Sequence, residues 1–130
     1  MPSAILPTLS VELAYLALCA PLALAYIVAQ AMLTGGAGKR GVGDVPSERG
    51  FRAEKALRNF LETFPVFAVL ALGITVAGKA GWWSGLGAAL YFWARVAYLP
   101  AYVAGIGLVR SLIWSVSLAG LAILFWQFAF

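Results

Sequence analysis

The chain has 130 residues, 63% of them hydrophobic and only 11% charged, with nine basic and five acidic side chains for a net charge of +4. A soluble domain is about 45–50% apolar and about 25% charged, so this chain lacks the polar surface to cover a water-facing particle of its size. That excludes a soluble enzyme domain, a disordered tail and a nucleic-acid-binding module, and it predicts one integral membrane domain over residues 1–130.

The first apolar stretch, residues 13–33, runs for 21 residues without a charge, and a bilayer-spanning helix needs about 20. No Lys or Arg precedes it and no cleavage site follows, so it reads as a retained helix over about 8–34, with Pro21 inside it. Cys19 lies within this run and reads as a small buried thiol. Residues 35–50, rich in glycine and charge, form the linker. A second helix is predicted over about 48–78, charged in its first turns and apolar from Thr63. A short turn containing Gly78 and Lys79 leads to Trp82 and Trp83, a pair suited to the membrane interface. The third helix covers about 82–106 and is broken at Gly105-Ile106-Gly107. The fourth covers about 110–130 and is uncharged after Arg110. The architecture expected is therefore an all-α, four-helix transmembrane bundle with a loop at 35–47.

Charge sets the orientation. Six of the nine basic residues (Lys39, Arg40, Arg49, Arg52, Lys55, Arg58) lie in or just after the first loop, and Arg110 lies at the third; the opposite side has Lys79. The positive-inside rule places loops one and three in the cytoplasm and both termini outside, in an inner or plasma membrane.

Two polar stripes lie within the spans, where charge is costly. On the second helix Arg52, Lys55, Asn59 and Glu62 recur at spacings of 3, 4 and 3, within about 80° of arc. On the third, Tyr91, Arg95, Tyr98 and Tyr102 recur at 4, 3 and 4. An Arg95–Glu62 pair would neutralise both buried charges and could be purely structural. Arg52, Lys55 and Arg110 would still converge near the tyrosine hydroxyls, an arrangement that suits a small anionic ligand. Arg49 and Arg58 read as solvated or lipid-phosphate contacts. With no His in the chain, there is no imidazole base and no His-ligated metal.

Residues 52–65, RAEKALRNFLETFP, resemble the second-helix signature of the MAPEG family (membrane-associated proteins in eicosanoid and glutathione metabolism). Arg52, Lys55, Ala56, Asn59, Glu62 and Pro65 fill that signature in order. Residues 94–111, ARVAYLPAYVAGIGLVRS, resemble the family's third-helix segment and the Arg-Ser that opens its fourth helix. The resemblance is to a bacterial-type member related to microsomal glutathione transferases. It implies a homotrimer with glutathione as cosubstrate bound between subunits near the cytoplasmic side. Carried over, Arg52, Lys55, Asn59 and Glu62 on the second helix and Arg95, Tyr98 and Tyr102 on the third fall at binding positions. Arg110 matches the basic residue that faces the glutathione sulfur, and Ser111 beside it reads first as a helix cap. Two features depart from the pattern: Lys55 stands where Arg is commoner, and the first helix ends in Gln30-Ala31-Met32-Leu33-Thr34 without a cation.

Three functions follow. The first is a glutathione transferase or peroxidase acting on lipophilic electrophiles, a detoxifying activity. The second is a family member kept as a non-catalytic binding or scaffold protein. The third is a small proton-coupled multidrug exporter using Glu12, although Glu12 is expected within a few residues of the membrane edge, in reach of water or headgroups.

Overall fold

The computed structural model describes residues 10–33 and 48–130. The expected start of the first helix near residue 8, the loop at 35–47, and Lys39 and Arg40 lie outside the described residues. Four helices follow in order: α1 (Val11–Leu33), α2 (Glu48–Val76), α3 (Trp82–Ala104) and α4 (Gly107–Ala129). Three of them, α1, α2 and α4, are long and apolar enough to cross a membrane. The remaining helix, α3, is as long as α1 and carries one of the two polar stripes.

Each helix buries one face against the others. On α2 the buried positions are Gly50, Ala53, Ala56, Phe60, Phe67, Leu70, Ala71 and Ile74, a helical-period stripe. Aromatic pairs join this stripe to its neighbours: Tyr26 of α1 stacks on Phe60 at 4.7 Å, and Tyr91 of α3 stacks on Phe67 at 4.5 Å. The outward faces carry Leu24, Val69 and Phe125, each more than 60% exposed, as expected of surfaces solvated by lipid.

A close backbone approach joins α3 to α4. A Cβ built on Gly120 would lie 2.6 Å from the Gly87 carbonyl oxygen and 2.9 Å from the Tyr91 nitrogen, and one on Gly87 would lie 2.8 Å from the Gly120 carbonyl oxygen. Small residues at a crossing let two backbones touch, and within a bilayer that packing is a main source of helix association. This crossing fixes α4, and with it Arg110, relative to the tyrosines of α3.

One end of the bundle, opposite Arg52 and Arg110, is closed by side-chain hydrogen bonds. Ser10 caps α1 by accepting from the Leu13 N–H at 3.1 Å, and its hydroxyl also pairs with that of Thr75 on α2 at 3.1 Å. Lys79 donates from Nζ to the Phe128 carbonyl at 2.8 Å, and Gln127 donates from Nε2 to the Lys79 carbonyl at 2.9 Å. Glu12 corrects an expectation here. It does not reach out to water or headgroups but is 1% exposed, and it accepts a hydrogen bond from the Ser84 hydroxyl at 2.6 Å. That hydroxyl in turn accepts from the Gly81 N–H at 2.8 Å. The carboxylate thus sits at the N-termini of α1 and α3 together, where both helix dipoles favour a negative charge. Ser84→Ala leaves that carboxylate buried without its donor and should lower stability by about 1–3 kcal/mol. Thermal melting in detergent checks this: a wild-type midpoint in Ser84→Ala would remove the bond from the account.

Candidate functional site

At the basic end of the bundle, α2, α3 and α4 enclose a cleft of about 230 Å³ lined by Asn59, Tyr98, Tyr102, Arg110, Ser111 and Trp114. Its geometry starts from the break between α3 and α4. Gly105 ends α3 in the left-handed conformation (φ 78°), a conformation glycine adopts without steric cost. The chain reverses over Ile106, and α4 begins at Gly107, so Arg110 stands in the first turn of α4 with its N–H donating to the Ile106 carbonyl at 2.9 Å. A cation is unfavourable beside the positive end of a helix dipole. Placing one there makes the local potential strongly positive. The guanidinium of Arg110 lies 4.6 Å over the ring of Tyr102, which itself meets Tyr98 edge-on at 5.4 Å.

Arg95 lies behind this wall. It is fully buried, donates from Nη1 to Asn59 Oδ1 at 2.7 Å, and stacks over Tyr98 at 4.8 Å and Tyr91 at 5.6 Å. Tyr91 is held in turn by Thr63, their hydroxyls 3.0 Å apart. The remaining donors of Arg95, Nε and Nη2, are buried with no hydrogen-bond partner among the described residues. None of the residues lining the cleft is acidic. The site therefore combines two guanidinium groups, an amide and two phenols with no negative charge to balance them.

The Arg95–Glu62 pair that would neutralise both charges does not form. Arg95 takes Asn59 instead, and Glu62 is exposed, lining a separate groove of about 540 Å³ with Gln30, Glu54, Leu57, Arg58 and Leu61. The reason is helical phase. Glu62 lies about 60° round the helix from Asn59, on the side away from Phe60 and Thr63. When those two face the core, Glu62 turns toward α1.

The other members of the α2 stripe also stand apart from the cleft. Lys55 is exposed, with its ammonium 4.7 Å over the Phe51 ring. Arg52 pairs with Glu48 at 2.5 Å and packs against Gly105. Asn59, Tyr98, Tyr102 and Arg110 are thus brought together with Arg95 behind them, whereas Arg52, Lys55 and Glu62 are not. Trp114 is not among the residues that the sequence marks, and Ser111 is marked there first as a cap. The signal for Trp114 was available: it follows Arg110 by four residues on an uncharged helix, and so shares its face.

The MAPEG family model matches residues 11–130. The chain belongs to the MAPEG family. No curated protein and no solved structure matches it closely enough to add to this. The family includes glutathione transferases and related proteins, and its members commonly use glutathione. As a MAPEG protein with apolar spanning helices, it is an integral membrane protein.

Proposed function

We propose that this MAPEG protein binds glutathione in the cationic cleft and uses it as a transferase or peroxidase on lipophilic electrophiles. The observation that carries the reading is Arg95: a fully buried guanidinium with two unused donors, no ion pair among the described residues, and a cleft of further donors in front of it. An uncompensated buried charge is strongly unfavourable, and an anionic ligand would balance it. Glutathione carries two carboxylates and a thiol. Asn59, Tyr98 and Tyr102 would hold its polar backbone, with Arg95 supplying positive potential from behind.

When bound, glutathione supplies the nucleophile, since only the thiolate attacks well and a free thiol has a pKa of about 8.5. Arg110 would favour the anion by direct charge attraction, with the α4 N-terminus adding to the same potential. A hydrophobic partner would find an apolar surface on the same helix. An apolar groove of about 690 Å³ between α2 and α4 is lined by Pro65, Val69, Leu121, Phe125 and their neighbours. Arg110, Trp114, Leu121, Phe125 and Phe128 fall within about 60° of arc on α4, so groove and cleft share one helix face.

The assembly belongs to the same proposal: a homotrimer in which glutathione lies between subunits, with loops one and three in the cytoplasm. Glu62 and its groove, exposed on the single subunit, would then be available to a neighbour's ligand. The non-catalytic reading draws on one feature, the end of α1, where Gln30 bonds Glu54 at 3.2 Å and residues 30–33 include no cation. The exporter reading loses support, because Glu12 is buried against α3 with its carboxylate bonded to Ser84.

Calorimetric titration of the detergent-purified protein with reduced glutathione, with S-methylglutathione as control, tests the reading. Saturable binding is expected, weaker for the methylated control. Arg95→Leu should weaken binding by about 10–100-fold, the value of a hydrogen bond to a charged group, while leaving ligand-free stability unchanged or raised. Loss of stability with binding intact would make Arg95 a structural residue and count against the site.

A further inference from the structure

Arg52 belongs to the α2 stripe by sequence but does not line the cleft. Its guanidinium lies instead against the turn between α3 and α4. A Cβ on Gly105 would stand 2.8 Å from both Cζ and Nη1 of Arg52 and 3.0 Å from Nη2. The group is only 30% exposed, and Glu48, one helical turn earlier, pairs with its Nη2.

The backbone of the turn shows what Arg52 does there. A helix leaves its last four carbonyls without intrahelical partners. At the end of α3, the Ala101 carbonyl accepts from the Ile106 N–H at 3.3 Å, and the Tyr102 carbonyl accepts from the Gly105 N–H at 3.0 Å. Val103 is next, and its carbonyl accepts from Arg52 Nη1 at 3.5 Å. That contact is long, but it brings a full positive charge to the negative end of the α3 dipole, where cations are favoured. A side chain of α2 thus completes the C-cap of α3.

The same turn sets Arg110. From Tyr102, whose ring carries the Arg110 guanidinium, only the Gly105–Gly107 reversal separates the last turn of α3 from the first turn of α4. The Ile106 carbonyl that receives the Arg110 N–H sits inside that reversal. If the turn shifts, Arg110 moves relative to Tyr102 and Tyr98.

We propose that Arg52, braced by Glu48, is a positioning residue that locks the α3–α4 turn and so fixes Arg110 over the cleft, rather than a ligand contact. This rests on the reading of Arg110 given above for the effect on glutathione, but the lock itself exists without ligand. The absence of a Cβ at Gly105 is part of the device, since any side chain there would displace the guanidinium.

Two variants attack the contact from its two sides. Arg52→Met keeps the length of the stem and removes the charge, and Gly105→Ala keeps the charge and evicts it. Amide hydrogen exchange on the ligand-free, full-length protein reads the lock directly. Both variants should exchange faster at Gly105, Ile106 and Arg110, with Gly120 as the internal reference. Arg52→Lys should restore part of the protection by returning a cation. Ultraviolet absorbance of the bound thiolate against pH reads the consequence. Its midpoint should rise by about one pH unit in Arg52→Met, with S-methylglutathione affinity within about twofold of wild type. Unchanged exchange at Arg110 in both variants would overturn the lock. Loss of S-methylglutathione binding in Arg52→Met with exchange unchanged would make Arg52 a ligand contact. A wild-type protein that binds no glutathione would overturn the proposed function, and hydrogen exchange would still decide the lock.

Discussion

Arg110→Met is expected to cut turnover of a lipophilic electrophile about 8–30-fold at pH 7 and less than about twofold above pH 9. A thiol left at its ordinary pKa of about 8.5 is about 3% ionised at pH 7. A guanidinium beside it lowers that pKa by about 1–3 units, which makes the thiolate a major species. The loss therefore tracks the missing anion, and raising the pH restores it. Arg110 is suited to this because its position is set from two directions, by the Tyr102 ring beneath it and by the first turn of α4. Methionine keeps much of the stem volume, so the cleft should still admit S-methylglutathione. A pH–rate profile of the variant beside wild type decides the point. A loss equal at every pH, with S-methylglutathione binding gone, would make Arg110 an anchor for a carboxylate instead of an activator of the sulfur.

Gly120→Val should be the most damaging single change in the apolar part of the bundle. Even the first added carbon would lie 2.6 Å from the Gly87 carbonyl oxygen and 2.9 Å from the Tyr91 nitrogen. Both are backbone atoms, so no side chain can swing away to make room. Overpacking of this kind typically costs about 1–3 kcal/mol for extra methylenes that side chains can absorb, and rigid helices should place this case at or above the top of that range. Separating α3 from α4 also carries Arg110 away from Tyr98 and Tyr102. Stability and glutathione binding should therefore fall together. Gly87→Ala should behave similarly, and the double variant should cost less than the sum, because both act on one contact. Gly107→Ala is the control, with nothing within 4 Å of its Cβ position. Melting in detergent is the readout, and a Gly120→Val protein as stable as Gly107→Ala would refute the close crossing.

Much of this protein is determined by sequence alone. With 63% hydrophobic residues, the chain must be solvated by lipid, and four apolar segments separated by glycine-rich breaks dictate four helices. The spacing of Arg52, Lys55, Asn59 and Glu62 on one helix, and of Tyr91, Arg95, Tyr98 and Tyr102 on the next, marks the polar faces and carries the resemblance to the MAPEG family. Periodicity stops there. It assigns residues to an arc of a helix but does not set how far that helix is rotated toward its neighbours. That angle follows from the packing of the whole buried stripe, here Phe60 against Tyr26 and Phe67 against Tyr91. A rotation of about 60° separates Asn59, which meets Arg95, from Glu62, which faces the groove beside α1. The same applies to Glu12, four-fifths of a turn from Tyr15 by sequence yet buried only because α3 begins beside it. Arg52 is a further case, since its partner is a carbonyl exposed by the end of another helix. The residues that could bear charge are written in the chain. Which of them remain unpaired, and so able to receive an anion, is decided when the helices pack, because pairing depends on distances between segments that local sequence does not encode.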